Sequence, residues 1–309
     1  MKISVIGAGN VGATAANVIA LKKFNDELVL LDIKEGFAEG KIMDMMQTAH
    51  MLNINTKMVG TTGDYAKTAH SNIIIITSGL ARKPGMTREE LIGTNAKIVK
   101  GVMDKCLEYS SDAIFIIVSN PADTLTYLAL KDSKLPHNRV IGMSGVLDSN
   151  RFIYFLSQKI GCPPTDVDGM VIGVHGDLML PLIRLASYKG IPVTELLDNA
   201  TLEKIIHETK VGGGTLTKLL GTSAWYAPGA AVAIMAEAIA LNTRKLLPCI
   251  AYLDGEYGEK DVCAGVPVIL GASGAEKIVT LSLTLEEREM FAKSVAAVRE
   301  TNAKLSSSL

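Results

Sequence analysis

Of five histidines, only His175 ends an apolar run between glycines, in Gly173-Val174-His175-Gly176-Asp177. A histidine placed so that a bulky ligand can approach is suited to general acid–base work, which also requires an orienting carboxylate. Asp148 and Asp177 are the candidates. Asp148 and Arg151, in Gly145-Val146-Leu147-Asp148-Ser149-Asn150-Arg151, are three apart and share a helical face, which suits either an internal ion pair or a carboxylate clamp. Two further stretches follow apolar runs. Ser119-Asn120-Pro121-Ala122-Asp123 offers Asn120 as a polar contact, with Pro121 starting a helix. Leu80-Ala81-Arg82-Lys83-Pro84-Gly85-Met86-Thr87-Arg88 carries two arginines six apart on a Pro-Gly loop, as a cationic lid would. Each of these also has a plain structural reading, as a turn or a solvated basic loop.

The remaining motif is Gly7-Ala8-Gly9-Asn10-Val11-Gly12. It follows an apolar run, opens a helix, and is followed by Asp32 at the end of the next run. In that context the three glycines serve the tight turn, the close approach of a pyrophosphate and helix–strand packing. Free N–H groups of the helix N-terminus would meet the phosphates, and Asp32 would accept from the ribose hydroxyls. A carboxylate there repels a 2′-phosphate and Ile33 offers no compensating arginine, so the expected cofactor is NAD.

These residues need a frame that sets them at strand ends. Ile3–Ile6, Leu28–Asp32, Ile73–Thr77, Ile114–Ser119 and Val140–Met143 are continuous apolar runs, the pattern of strands buried on both faces. Helical stretches near Val11–Lys22, Glu39–His50 and Thr87–Tyr109 separate them. The alternation predicts an α/β Rossmann fold, a doubly wound parallel sheet over residues 1–143. Residues 144–309 read as a mixed α+β substrate domain, joined without a linker and leaving a cleft between the two. It has a helix from Asp148 to Ile160, a strand over Val167–Val174, and a hairpin of Leu246–Leu253 and Val262–Leu270 turning at Asp254-Gly255 and Gly258. A last helix opens on the capping box Thr284-Leu285-Glu286-Glu287 and places Phe291, Val295 and Val298 on one stripe.

Composition narrows the partners. The 31 basic and 32 acidic residues of this 309-residue chain nearly cancel, and aromatics are 5%, so neither nucleic acid nor an anionic membrane is expected. Mean hydropathy is +0.27, yet no apolar stretch reaches the ~18 residues of a spanning helix. Cys106, Cys162, Cys249 and Cys263 lack CxxC spacing, so no metal site is expected, and four reduced thiols suit a cytoplasmic chain with no targeting segment. The apolar stretch Ala230–Leu241 is a candidate subunit interface.

Taken together and in this order, the motifs resemble the lactate/malate dehydrogenase family over nearly the whole chain, within it the malate-oxidising, lactate-dehydrogenase-like bacterial branch. The resemblance implies an NAD-dependent oxidoreductase of the tricarboxylic acid cycle, built as a homotetramer or homodimer. It implies that His175 and Asp148 are the catalytic pair and that Arg88 polarises the substrate carbonyl. It further implies that Asn120 touches substrate and cofactor, that Arg151 clamps the substrate carboxylate, and that Gly7–Gly12, Asp32, Asn95 and Val118–Asn120 hold NAD. Arg82 occupies the lid position that is glutamine in the family's lactate-specific members, and a second arginine suits a substrate with two carboxylates. Lactate dehydrogenase is the near alternative, and Arg82 argues against it. A non-catalytic NAD sensor would not need the arginines, Asp148 and His175 together, and an NAD-dependent glycosidase would need a cysteine beside the site. Two departures stand out: Val174 replaces the usual glycine of GGHGD, bringing bulk expected beside the cofactor, and Ala122 stands where leucine is common.

Overall fold

The structure, a computed structural model, describes residues 1–80 and 88–306, with side chains omitted at Arg88, Glu89 and Ser306. Its first half builds β1 (Lys2–Ile6), α1 (Asn10–Lys22), β2 (Glu27–Asp32), α2 (Phe37–Gln47), α3 (Ala49–Leu52), β3 (Lys57–Thr62) and β4 (Ile73–Ile76). It continues with α4 (Arg88–Tyr109), β5 (Ile114–Ile117), α5 (Ala122–Ser133) and β6 (Val140–Gly142). These six strands pair in parallel in the order β3-β2-β1-β4-β5-β6. The four isoleucines of β4 show why a continuous apolar run was needed. Ile73 and Ile75 enter the core on one side of the sheet, Ile74 and Ile76 the core on the other, and all four are fully buried.

The order turns back at β1 and β4, so their C-terminal ends open the crevice in which doubly wound sheets bind ligands. Hydrogen bonds tie the two loops together there. Thr77 Oγ1 donates to the Gly7 carbonyl (2.9 Å) and Ser78 Oγ to that of Ile6 (2.9 Å).

The second half opens with α6 (Gly145–Ile160), β7 (Val167–Asp168), β8 (Val171–Ile172), β9 (Leu180–Pro181), β10 (Ser187–Tyr188) and β11 (Ile191–Pro192). Next come α7 (Val193–Leu196), α8 (Asn199–Leu220), α9 (Tyr226–Ala240), β12 (Lys245–Asp254), β13 (Lys260–Gly271), β14 (Gly274–Ile278) and α10 (Leu285–Ser306). The hairpin forms as expected, but β12 pairs antiparallel with β6, so β12, β13 and β14 extend the first half's sheet to nine strands. The two halves therefore share one sheet.

Other expectations are revised. The run Val167–Val174 is not one strand: β7 pairs with β10 and β8 with β9, and the chain bends between them at Gly169-Met170. Helix α6 begins three residues earlier than expected, at Gly145. The edge strand β3, with its alternating and only half-buried KMVGTT, and the long α8 carry weak local signals and were not anticipated. The capping box of α10 forms as read: Glu287 N–H donates to Thr284 Oγ1 (3.2 Å) and Thr284 N–H to Glu287 Oε2 (2.9 Å). Phe291, Val295 and Val298 are buried. Most of the stretch Ala230–Leu241 is consumed within its own chain. Helix α9 packs on α1, where a Cβ on Gly229 would stand 2.6 Å from Thr14 Cγ2, and Ala231, Val232, Ala233, Met235 and Ile239 are buried. It is core rather than a free interface.

Candidate active site

The glycine loop has the shape a dinucleotide requires. Gly7 adopts φ +107°, and a Cβ there would press on Thr77 Oγ1 at 2.8 Å. A Cβ on Gly12 would collide with the Gly7 carbonyl oxygen, so only glycine lets α1 start this close to β1. Above Gly9 there is open space. The first turn of α1 has neither a capping side chain nor an acidic residue, which leaves its N-terminal amides to an anion. Asp32 is held with both oxygens engaged: Ala8 N–H donates to Oδ2 (2.6 Å) and Lys34 N–H to Oδ1 (2.9 Å). The carboxylate is thus fixed beside the loop, and Ala8 contributes through Asp32 rather than by a free amide. These features fit an adenine dinucleotide with an unphosphorylated ribose.

The histidine sits at the far end of the same crevice. His175 Nδ1 and Asp148 Oδ2 are 2.7 Å apart, and Asp148 Oδ1 accepts from an Arg151 terminal nitrogen at 3.2 Å. Asp177, the other candidate, is exposed in the loop beyond. Asp148 is 1% exposed and is brought to His175 by α6, whose first turn carries it. The nearby Asp148 carboxylate raises the His175 imidazole above its ordinary value of 6.5, more than burial lowers it. An imidazole that gives its Nδ1–H to a carboxylate presents Nε2 to a reacting group.

Arg151 owes its place to a feature that local reasoning passed over. The run Gly212-Gly213-Gly214 lies inside α8, where each glycine costs about 1 kcal/mol relative to alanine. A Cβ on Gly212 would stand 2.5 Å from Arg151 Cδ and 3.1 Å from its Nε. The gap in α8 is therefore the channel in which the Arg151 side chain lies. Gly212→Ala is expected to leave the melting temperature unchanged or higher, yet to lower kcat/KM by about 10- to 100-fold through displacement of Arg151. Thermal melts and steady-state kinetics on one sample check both halves.

His175, Arg151 and Asn120 line one cleft of about 250 Å³ with Val11 of the glycine loop and Val118. Thr217, Ser223 and Pro228 close it from the second half. These three were not anticipated, and no local pattern marks them. Ser119 is buried, its Oγ donating to the Ser78 carbonyl (2.5 Å). Asn95 is placed differently from expectation. It is 3% exposed, and its amide is spent on the main chain: Leu80 N–H donates to Oδ1 (2.8 Å), and Nδ2 donates to the Asn120 carbonyl (2.9 Å). It joins Leu80 to the Asn120 loop. Val174 lines a different cavity, beside α10, rather than the cleft with Arg151 and Asn120. Arg82 and the Arg88 side chain lie outside the described residues; the Arg88 backbone begins α4. Among the described residues no cluster of metal-ligating side chains forms, and no helix is long and apolar enough to cross a membrane.

Comparison with known proteins agrees with this geometry. Residues 1–142 match the NAD binding domain of the lactate/malate dehydrogenases, and residues 145–307 match their alpha/beta C-terminal domain. A malate dehydrogenase of Parabacteroides distasonis is 62% identical, over 98% of this chain and 97% of its own. The solved malate dehydrogenase of Salinibacter ruber superposes with a TM-score of 0.95 at 43% identity, covering 99% of this chain and 98% of that one. A lactate dehydrogenase of Cryptosporidium parvum, solved with lactic acid and NAD, superposes nearly as well: TM-score 0.94, 35% identity, 99% and 98% coverage. With both halves matched in order and the histidine–aspartate–arginine cluster in its cleft, the chain belongs to the lactate/malate dehydrogenase family.

Proposed function

We propose that the chain is an NAD-dependent malate dehydrogenase that interconverts (S)-malate and oxaloacetate. The observation that carries the chemistry is the His175–Asp148–Arg151 cluster opening into the cleft that the glycine loop also lines. The choice of malate over lactate rests on Arg82 and on the 62% identity to the Parabacteroides distasonis enzyme, since backbone similarity is shared with a lactate dehydrogenase.

Gly7–Gly12 and Asp32 hold the dinucleotide, with Val118–Asn120 along the neighbouring loop. The dinucleotide, when bound, would supply the hydride acceptor for malate C2 in its oxidised form and the hydride donor for oxaloacetate in its reduced form. Arg151 pairs with the carboxylate beside the reacting carbon and Arg82 with the other, which fixes the substrate's orientation. The Leu80–Glu90 segment closes and excludes water. His175 Nε2 takes the hydroxyl proton of malate; in the reverse direction the imidazolium returns it. Asp148 holds the Nδ1–H tautomer and stabilises the imidazolium. Arg88 stabilises negative charge developing on the substrate oxygen. Asn95 acts through the loops it joins.

We also assign residues 1–143 to the NAD-binding domain and 144–309 to the substrate domain, and expect a cytoplasmic homodimer or homotetramer. The exposed Met43, Met51, Leu219 and Tyr226 are apolar surface a second copy would cover, and four free thiols accord with a reducing compartment.

The test is steady-state NADH oxidation with oxaloacetate and with pyruvate, side by side at neutral pH. The expected ratio of kcat/KM is at least ~10³ in favour of oxaloacetate. A ratio near one, or favouring pyruvate, overturns the malate assignment and leaves the hydride chemistry standing.

A further inference from the structure

That mechanism leaves one buried carboxylate unused. Asp123, in the first turn of α5, is 2% exposed. Its Oδ2 accepts the main-chain N–H of His175 at 2.9 Å, and its Oδ1 has no hydrogen-bond partner among the described residues. Three successive amides of the histidine loop are anchored to three different elements. Gly173 N–H donates to the Gly265 carbonyl on β13 (2.7 Å), Val174 N–H to Ser294 Oγ on α10 (2.8 Å), and His175 N–H to Asp123 on α5. Ser294 shows that a neutral hydroxyl suffices to hold such an amide. An ionisable group at the third position, buried with one oxygen unsatisfied, is costly and calls for a role beyond the hydrogen bond.

Charge balance supplies that role. Asp148 serves two cations at once, Arg151 and the imidazolium. With Asp123 ionised, the four groups His175, Arg151, Asp148 and Asp123 are neutral overall when the imidazolium forms. We propose that Asp123 is a second, positioning carboxylate for His175, which fixes its main chain through the N–H and stabilises its protonated form by charge. The inference rests on His175 being the proton carrier of the proposed reaction.

Among the described residues, the other groups facing this pair do not replace that charge. Asp148 and Arg151 come from α6. Helix α10 presents Glu300 and Lys304, paired with each other at 2.9 Å, to the cavity of about 520 Å³ behind His175. Asp177 stands exposed at the cavity edge, and α4 presents the uncharged Ile92 and Gly93. On β13, Cys263 is held well above the usual thiol value by burial first and by Asp123 next, and stays neutral. Burial pushes the Asp123 carboxyl up to about 6, opposed by the His175 N–H and by the imidazole's charge. Asp123 in turn raises His175, after Asp148.

The test substitutes Asp123→Asn, which keeps an oxygen for the His175 N–H and removes the charge. The pH at which oxaloacetate kcat/KM falls is expected to move down by about half a unit or more, with the Kd for NADH within about two-fold of the parent. Asp123→Glu is expected to bring the midpoint back toward the parent value at reduced kcat. A purely structural hydrogen bond predicts an unmoved midpoint in Asp123→Asn, and that result overturns the proposal. If the variant does not fold, the His175 ring-proton NMR titration of the unsubstituted protein decides, with His175→Asn identifying the resonance. Two steps, the smaller near pH 6 where Asp123 takes its proton, are expected; a single step overturns the proposal. The titration needs no turnover, so its failure is distinct from failure of the enzymatic reading, which His175→Asn tests through loss of activity.

Discussion

His175→Asn lowers kcat by about 10²–10⁴-fold while NADH binds within about two-fold of the parent. That is the expected result, and its two halves come from different parts of the molecule. Binding depends on the glycine loop and Asp32, whose hydrogen bonds and close approaches are with Ala8, Lys34, Thr77 and Ser78 rather than with His175. Turnover depends on a proton that only the imidazole can carry, because Asp148 is committed to Nδ1 and to Arg151. Asparagine approximates the ring's size and cannot exchange a proton near neutral pH. Fluorescence titration with NADH and single-turnover kinetics separate the two. Undiminished turnover would remove His175 from the mechanism.

The same residue sets the pH dependence, in a direction fixed by the sign of its shift. The imidazolium is the acid for oxaloacetate reduction, and the neutral ring is the base for malate oxidation. Asp148 raises the His175 value above 6.5, so reduction persists past that pH and falls as pH rises through the raised value. Oxidation of malate falls as pH drops through it. Asp148→Asn removes the largest cause of the shift, so both limbs move to lower pH. Limbs that stay in place in that variant would show that another group titrates.

Arg82→Gln separates the two substrate carboxylates. Oxaloacetate carries two and pyruvate one, and both carry the one beside the reacting carbon. Loss of Arg151 therefore damages both substrates alike, whereas loss of Arg82 damages oxaloacetate alone. Removing one partner of a closed-site charge pair costs about 2–5 kcal/mol, a tens- to thousands-fold loss in kcat/KM. Glutamine leaves no uncompensated cation facing a methyl group, so pyruvate gains while oxaloacetate loses. Arg151→Gln is the control: both substrates fall by a comparable factor and their ratio stays near the parent's. An unchanged oxaloacetate/pyruvate ratio in Arg82→Gln would take Arg82 out of substrate choice.

The parallel sheet was legible in the chain because two-sided burial leaves a local trace. A short run of four β-branched residues fits a strand covered on both faces, and β4 is such a strand. The dinucleotide loop was legible for a similar reason: Gly7 and Gly12 answer backbone constraints that act within a few residues. His175 stood out through its flanking glycines, and the resemblance paired it with Asp148 and Arg151. By residue pattern alone, Asp148 and Asp177 were equal candidates, and it was the packing of α6 that chose Asp148, 27 positions away, over a neighbour in the same loop. Packing also sent Asn95 to the Leu80 and Asn120 loops, laid Arg151 across Gly212, and set Asp123 behind the histidine. It turned the late hairpin onto β6 and buried the apolar stretch of α9 against α1. Periodicity and backbone conformation are properties of neighbours in the chain and can be read there. Which carboxylate meets which imidazole is a distance between elements, and only the folded chain sets it.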